Sequence, residues 1–343
     1  MTRVRVGVLG YGVIGKRVAD AIRLQPDMQV VGVAGRGSSP SLAIARKLGY
    51  PVFISAPDPA NATEPIDAAG AFVDLMADVD VLLDCTPSGV PKHYQALYDA
   101  HPNLPIIVQG GEKPSFGVSF NSFTNYDQAR GHKRVRVISC SSTGSTRMVW
   151  ALHRAFGLRQ AFLSLWRRSA DSGKSSKNPI DALSPSLGQS HHAPDVLTVL
   201  PGLKLYSLSA DCPTTLGHVL TLQADLERPV SRDDVVSLLE RIPRVIVGAG
   251  LRSTADLADY YGDLGRPRRD RPEIYVWSEG LDVRGRTLVA SFSVHMESIT
   301  IPETVDCVRA TLGLEPEAWA SVQQTDLALG IVKEGAFYPP FLS

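Results

Sequence analysis

The chain has 343 residues, more than the ~250–300 at which a single hydrophobic core stops growing, so two domains are expected. Thirty-five basic and thirty-five acidic side chains cancel, in a composition that is 44% hydrophobic and 20% charged, as in ordinary globular proteins. That balance argues against nucleic-acid or membrane-surface binding, and no apolar run approaches the ~18–20 residues of a membrane span. With no signal-peptide layout, a cytoplasmic protein is expected. Cys85, Cys140, Cys212 and Cys307 have no CxxC spacing and suggest neither a disulfide framework nor a zinc site, so no metal is expected.

Val4 to Leu9 reads as a first strand, followed by Gly10-Tyr11-Gly12-Val13-Ile14-Gly15 and by Lys16 to Ile22 at helical spacing. This is a dinucleotide fingerprint in its strand–turn–helix context. Gly10 permits a tight turn, Gly12 lets backbone approach a pyrophosphate, and Gly15 allows helix and strand to pack closely, with helix N–H groups meeting the phosphate charge. A second strand, Gln29 to Ala34, should be followed by an acid that binds the ribose 2′-hydroxyl of NAD. Arg36, Ser38 and Ser39 stand there instead and suit a 2′-phosphate, so NADP is expected ahead of NAD.

Ser55 to Ala71 reads as a surface loop, Phe72 to Met76 as a short helix and Val79 to Cys85 as a buried strand. Thr86-Pro87-Ser88-Gly89 then turns on the cofactor side of the sheet. A helix around Tyr94 to Ala100 and a strand from Pro105 to Val108 lead to Gln109-Gly110-Gly111-Glu112-Lys113. Alternating strands and helices through residue 139 predict a parallel sheet covered on both faces, a Rossmann-type doubly wound fold.

Val135, Val137 and Ile138 form a strand that runs into Ser139-Cys140-Ser141-Ser142-Thr143-Gly144, with helical spacing from Met148 to Phe156. Cys140 is therefore expected against a helix N-terminus, where unpaired N–H groups lower a thiol pKa from about 8.5 toward or below neutrality. Beyond it the pattern changes to alternation, in Phe162 to Trp166, Lys204 to Leu208, Val219 to Ala224 and Thr287 to Val294. Alternation predicts a mainly antiparallel, half-exposed sheet and so a second, α+β domain.

Between these strands Arg167 to Pro201 reads as a long loop, with Arg167 and Arg168 opening it and Ser190-His191-His192 closing it. Two guanidiniums and two imidazoles brought together would receive an anion such as phosphate. As neighbours on a strand, His191 and His192 would face opposite ways and make a poor metal pair. His218, at a strand entrance, is a candidate base for an activated Cys140. Pro302 to Leu312 and Val322 to Leu329 read as closing helices, each ended by a glycine, that pack back onto the first domain.

Taken together, the fingerprint, Gln109-Gly110-Gly111-Glu112-Lys113, Ser139 to Gly144, Ser190-His191-His192-Ala193-Pro194-Asp195-Val196 and Pro213-Thr214-Thr215-Leu216-Gly217-His218 resemble the archaeal-type (type II) glyceraldehyde-3-phosphate dehydrogenases over nearly the whole chain. The resemblance implies a dinucleotide-binding domain over residues 1–139, a catalytic domain over 140–300, C-terminal helices over 301–343 returning to the first domain, and a homotetramer. It implies Cys140 as nucleophile and His218 as base. Cofactor contacts would come from Gly10, Tyr11, Gly12, Val13, Ile14, Gly15, Arg36, Thr86, Pro87, Gly110 and Asp326. Ser139, Ser141, Ser142, Thr143, Arg167, Arg168, His191 and His192 would lie around a phosphorylated aldehyde and inorganic phosphate. Several positions depart from the family pattern: Ser141 and Ser142 follow the cysteine where the family usually has Asn and Thr, with Ser145 after the glycine, and Met296 stands where Gln is common and Asp326 where Asn is common. The expected activity is phosphorylating oxidation of glyceraldehyde 3-phosphate. The alternatives are a related aldehyde or semialdehyde dehydrogenase for another anionic substrate, and a dinucleotide sensor whose catalytic site has decayed.

Overall fold

A computed structural model of the chain describes residues 3–37, 39–56, 67–109, 111–169 and 182–333. The chain divides into two compact units, Met1–Ile138 with Thr300–Gly330, and Ser139–Ile299 with the residues from Ile331. The expected surface loop is outside the described residues over 57–66, and the middle of the Arg167–Pro201 segment is outside them over 170–181.

The first unit begins β1 (Val4–Leu9), α1 (Val13–Arg23), β2 (Met28–Arg36), α2 (Pro40–Lys47), β3 (Val52–Ala56), β4 (Gly70–Ala71), α3 (Phe72–Ala77) and β5 (Val81–Asp84). It continues with α4 (Gln95–Asp99), β6 (Ile106–Val108), β7 (Val118–Phe120) and β8 (Arg134–Val137). The strands make one sheet in the order β4-β3-β2-β1-β5-β6-β8-β7, with every described pairing parallel. The strand alternation explains the two covered faces. Val6 and Val8 of β1 enter one core with Val18 and Ile22 of α1, while Leu9 enters a second with Phe72, Leu75 and Tyr98.

The second unit opens with α5 (Cys140–Phe156) and β9 (Leu158–Arg168), then β10 (Ser184–Pro185), α6 (His192–Leu197), β11 (Leu205–Cys212), β12 (His218–Leu226) and α7 (Arg232–Arg241). It ends with β13 (Val245–Gly248), α8 (Thr254–Asp263), β14 (Ile274–Arg284) and β15 (Thr287–Val294). The sheet order is β10-β11-β9-β12-β15-β14-β13. It is mixed: β11 runs parallel to β9 and β13 parallel to β14, while the other pairs are antiparallel. The segment expected as one loop carries α6, which its Ser, Pro and His content concealed. Leu163, Leu165, Leu220, Leu222, Ala290 and Phe292 alternate onto the buried face of this sheet.

The chain then returns to the first unit with α9 (Ile301–Leu312) and α10 (Ala318–Leu329), each closed by a left-handed glycine, Gly313 and Gly330. α9 shares the core of α1 through Val305 and Val308. Arg309 binds both carboxylate oxygens of Asp27 at 2.8 and 2.9 Å and the Gln25 amide oxygen at 2.7 Å, which fastens α9 to the α1–β2 turn. Past Gly330, Lys333 donates from Nζ to the carbonyls of Leu239 and Val245 in the second unit.

Candidate active site

In the first unit, β1 ends at Gly10, whose φ of 88° only glycine adopts without strain, and Gly12 caps α1. A Cβ on Gly15 would stand 2.0 Å from the Gly10 carbonyl oxygen, so the turn closes only with glycine there. A Cβ on Gly12 would meet nothing within 4 Å, and the first turn of α1 carries no acid and no side-chain cap. Open space above unpaired N–H groups fits a pyrophosphate. Val13 and Ile14 are the first two helical residues, half-buried, and Tyr11 is buried against Tyr50 at 5.8 Å between ring centroids.

Asp84, at the end of β5, fixes the adjoining turn. Its carboxylate accepts from the Thr86 N–H (2.9 Å), the Thr86 hydroxyl (2.6 Å) and the Tyr98 hydroxyl (2.7 Å). Burial pushes the Asp84 carboxyl upward against the pull of Thr86 and Tyr98. Pro87 is exposed beside it, and the turn is tied to Gly111 and Glu112 by Ser88 (3.1 Å) and the Gly89 N–H (2.8 Å). Gly110 and Ser38 lie outside the described residues. Arg36 is exposed at the end of β2, and the Ser39 hydroxyl oxygen accepts from the Leu42 N–H as the cap of α2. Asp326 is fully buried in α10, one residue after Thr325, which bonds Asp306 and Arg309.

In the second unit, Cys140 is the first residue of α5, so the helix starts a full two turns before the periodic apolar run. Ser139 precedes it, with its N–H bound to Asp195 (3.0 Å) and its hydroxyl to that of Ser142 (2.8 Å); Ser142 also reaches the His192 carbonyl at 3.5 Å. The Thr143 N–H closes the first turn onto the Ser139 carbonyl. Ser141 is fully buried. Its N–H and hydroxyl act to pull the Cys140 thiol down, while its buried hydroxyl oxygen makes no hydrogen bond among the described residues. Two features hold α5 in place. A Cβ on Gly144 would strike Val294 at 2.5 Å, and buried Arg147 donates to the carbonyls of Arg244, Pro272 and Ile299.

Cys140 Sγ lies 3.7 Å from His218 Nε2. Burial pushes the thiol up from its ordinary value, against Arg167, the Ser141 N–H and hydroxyl, and Arg168. The expected depression of the thiol pKa is therefore overturned: the helix N-terminus is real, but the desolvation of a charged sulfur outweighs it. His218 is driven well below the ordinary imidazole range by burial, then by Arg167, Arg168, His192 and His295.

Arg167 and Arg168 do not act as a pair, because neighbours on a strand face opposite ways. Arg167 is partly exposed, lies 3.4 Å from Asp211, and its charge acts on Cys140, His191, His192 and His218 alike. Arg168 is turned inward to Glu297 Oε1 at 2.8 Å, with side chains 1% and 8% exposed. This departs from its expected place around the substrate. His191 and His192 also differ from expectation. They are not on a strand but cap and begin α6, with rings stacked at 4.0 Å, His191 outward and His192 buried. His192 Nδ1 meets the Ser190 hydroxyl at 3.0 Å, and burial, His191 and Arg167 pull its imidazole down to about 3. Among the described residues no group of three or more side chains is placed to hold a metal.

Residues 139–261 match the family model described as "Glyceraldehyde 3-phosphate dehydrogenase, C-terminal domain", and residues 4–115 match "Oxidoreductase family, NAD-binding Rossmann fold". The chain is 40% identical to the glyceraldehyde-3-phosphate dehydrogenase of Hyperthermus butylicus over 97% of its length and 99% of the relative's. It is 40% identical to that of Pyrobaculum calidifontis over 98% and 99%. It is also 37% identical to glyceraldehyde-3-phosphate dehydrogenase 2 of Methanosarcina barkeri, over 96% and 99%. The chain belongs to the glyceraldehyde-3-phosphate dehydrogenase family. In this family member the surroundings of Cys140 are held by residues whose contacts sequence reasoning missed. Asp195, Arg147 and Glu297 act through buried contacts with backbone or with another side chain, and no local pattern announces such contacts. Glu297 was visible only as the acid after Met296.

Proposed function

We propose that the chain is a phosphorylating glyceraldehyde-3-phosphate dehydrogenase that oxidises its aldehyde through a thioester on Cys140. The observation that carries this reading is the 3.7 Å approach of Cys140 Sγ to His218 Nε2 at the start of α5, beside the partly exposed charge of Arg167. The Cys140 thiol gives its proton to solvent, and the thiolate adds to the aldehyde carbon, leaving an alkoxide on oxygen. A bound nicotinamide dinucleotide supplies the acceptor for the hydride that leaves that carbon. The alkoxide electrons re-form the carbonyl, now a thioester. Phosphate then attacks the thioester carbon, the Cys140 thiolate departs and an acyl phosphate is released. Arg167 attracts the anions, with His191 beside it as a neutral donor.

The dinucleotide belongs at Gly10, Gly12 and Gly15, with Tyr11, Val13, Ile14, Thr86 and Pro87 around it. NADP is preferred to NAD because Arg36, exposed at the end of β2, offers a cation where NAD-selective folds offer an acid. A homotetramer is supported by an apolar patch on the outer face of the second sheet. Phe162 (45% exposed), Trp166 (45%), Tyr206 (46%) and Leu208 (58%) share that face, with Phe162 and Tyr206 stacked at 5.0 Å. A cytoplasmic site of action suits four free cysteines, and no helix among the described residues is long and apolar enough to cross a membrane.

The test is reduction of NADP and of NAD, followed at 340 nm, with glyceraldehyde 3-phosphate in the presence and absence of inorganic phosphate. Phosphate-dependent reduction, faster with NADP, is expected, and Arg36→Ala should lower the NADP-to-NAD ratio of kcat/KM about tenfold (~1.4 kcal/mol). Cofactor binding without reduction would overturn the reading.

A further inference from the structure

The turn after β5 carries a hydroxyl whose polarity is set by its neighbours. The Thr86 N–H and the Thr86 hydroxyl both donate to Asp84 Oδ1, at 2.9 and 2.6 Å, while the Tyr98 hydroxyl meets Oδ2 at 2.7 Å. An amide N–H only donates, so it marks Oδ1 as the accepting oxygen, and the Thr86 hydroxyl spends its one proton there. Asp84 is fully buried, and a proton taken up by its carboxyl goes to Oδ2, where the Tyr98 oxygen accepts it. Oδ1 is an acceptor in either state. Thr86 therefore has no donor left for a ligand, and its half-buried Oγ1 offers lone pairs alone.

On the reading of the Gly10 turn as a dinucleotide site, we infer that Thr86 accepts a hydrogen bond from a hydroxyl of the ribose on the nicotinamide side, and that Asp84 is the positioning residue that gives Thr86 this polarity. The place of the turn selects the sugar. In the sheet β1 lies between β2 and β5, with Leu9 at its end in register with Asp84. The Cys85 N–H closes onto the Leu9 carbonyl at 2.8 Å, and a Cβ on Gly10 would stand 2.9 Å from the Thr86 nitrogen and 3.0 Å from its methyl carbon. Thr86 is thus packed against the glycine that opens the phosphate turn, on the β5 side. Ligands of doubly wound sheets lie across the carboxyl ends of the strands. Arg36 ends β2 on the opposite side of β1, where the adenosine ribose belongs, so a pyrophosphate over Gly10 and Gly12 leaves the second ribose for β5. Pyrophosphate oxygens are acceptors and cannot pair with Oγ1. A ribose hydroxyl supplies the missing proton.

The carboxylate is held from behind. Tyr98 stacks on Tyr94 at 6.1 Å between ring centroids, the Tyr94 hydroxyl donates to Ser55 Oγ of β3 at 3.2 Å, and Arg134 Nη2 donates to the Tyr98 carbonyl at 2.6 Å. Asp84 is set before any ligand arrives, and so is the hydroxyl it orients.

Titration calorimetry tests this without turnover. ADP carries the pyrophosphate and one ribose, and ADP-ribose adds the second ribose without nicotinamide, so the ratio of their Kd values reports the added sugar. Thr86→Val, nearly isosteric, should weaken ADP-ribose about fivefold, the worth of a hydrogen bond of about 1 kcal/mol, with Kd for ADP within about twofold of wild type. Equal weakening of both ligands would assign Thr86 to the pyrophosphate and overturn the inference, as would weakening of the whole dinucleotide alone, which would move the contact to the nicotinamide. Thr86→Ser keeps the hydroxyl and should keep the ratio. Asp84→Asn keeps an accepting Oδ1 and should also preserve it, whereas Asp84→Leu should lower it about threefold with ADP unaffected. An unchanged ratio in Asp84→Leu, or equal loss of both ligands, would remove Asp84 from the positioning role. If ADP, ADP-ribose, NADP and NAD all fail to bind the wild type, the dinucleotide reading itself falls, an outcome distinct from a wild-type protein that binds them and a Thr86→Val variant that keeps the ratio.

Discussion

Two helix N-termini in this protein follow strands and offer unpaired N–H groups, yet they are built in opposite ways. At α1 the turn is glycine, the space above Gly12 is empty and no side chain caps the helix. At α5 the first turn is Cys140-Ser141-Ser142-Thr143, buried behind the cysteine and crowded with hydroxyls. The first leaves room for an anion brought by a ligand. At the second, burial pushes the Cys140 thiol up in spite of the helix start. Position at a helix start therefore does not set a thiol's pKa; the balance of burial against local donors does.

The sharpest way to break the comparison is Cys140→Ser, which should remove turnover altogether while dinucleotide binding, read by titration calorimetry, is unchanged. Gly15→Val attacks the other helix start. With even a Cβ only 2.0 Å from the Gly10 carbonyl, the dinucleotide Kd should rise ~100-fold (about 2.8 kcal/mol) while the alkylation rate of Cys140 by iodoacetamide stays as in the wild type. Slower alkylation in that variant would mean the two sites are not built independently.

Ser141→Ala sharpens the account of the thiolate. Removing the hydroxyl that pulls the thiol down should raise the thiol pKa further, shift the alkylation profile to higher pH and slow alkylation about tenfold at neutral pH, equivalent to one pKa unit. An unchanged profile would show that the N–H groups alone support the anion.

A further effect concerns stability. His192 is neutral in the folded protein, its imidazole held at about 3, whereas the unfolded chain titrates near 6.5. As pH falls through 6.5 the unfolded chain gains a proton that the folded chain refuses. The His192 contribution is thus complete above that pH and lost toward pH 3 at up to about 1.4 kcal/mol per pH unit. Melting temperatures between pH 7 and 4 should fall less steeply in His192→Gln; parallel curves would contradict the assignment.

Much of the first unit was legible because its signals are local. Gly10, Gly12 and Gly15 sit at fixed spacing between a strand and a helix, and the apolar runs of β1, β2, β5 and β6 are short and continuous. α2 and β3 were not read, since the apolar residues of α2, Leu42 to Ala45, are consecutive rather than at helical spacing and follow directly on the Arg36 loop. In the second unit the alternation of β9, β12 and β15 was readable, but the parallel pairing of β11 with β9 was not, because alternation records which face is buried and not which way a partner runs.

By itself the sequence determined the dinucleotide turn, the cysteine at a strand-to-helix junction, the histidine at the head of β12 and the two closing helices, since each depends on neighbours within a few residues. Only the tertiary structure decided that Cys-Ser-Ser-Thr-Gly-Ser-Thr is helical, because those poor helix formers are held by burial and by Arg147 binding three distant carbonyls. It likewise decided that Arg168 turns inward to Glu297 with its backbone N–H on His218 while Arg167 stays partly exposed, and that burial pushes the Cys140 thiol up. Those outcomes depend on which groups lose water together, a property of packing that no stretch of sequence contains.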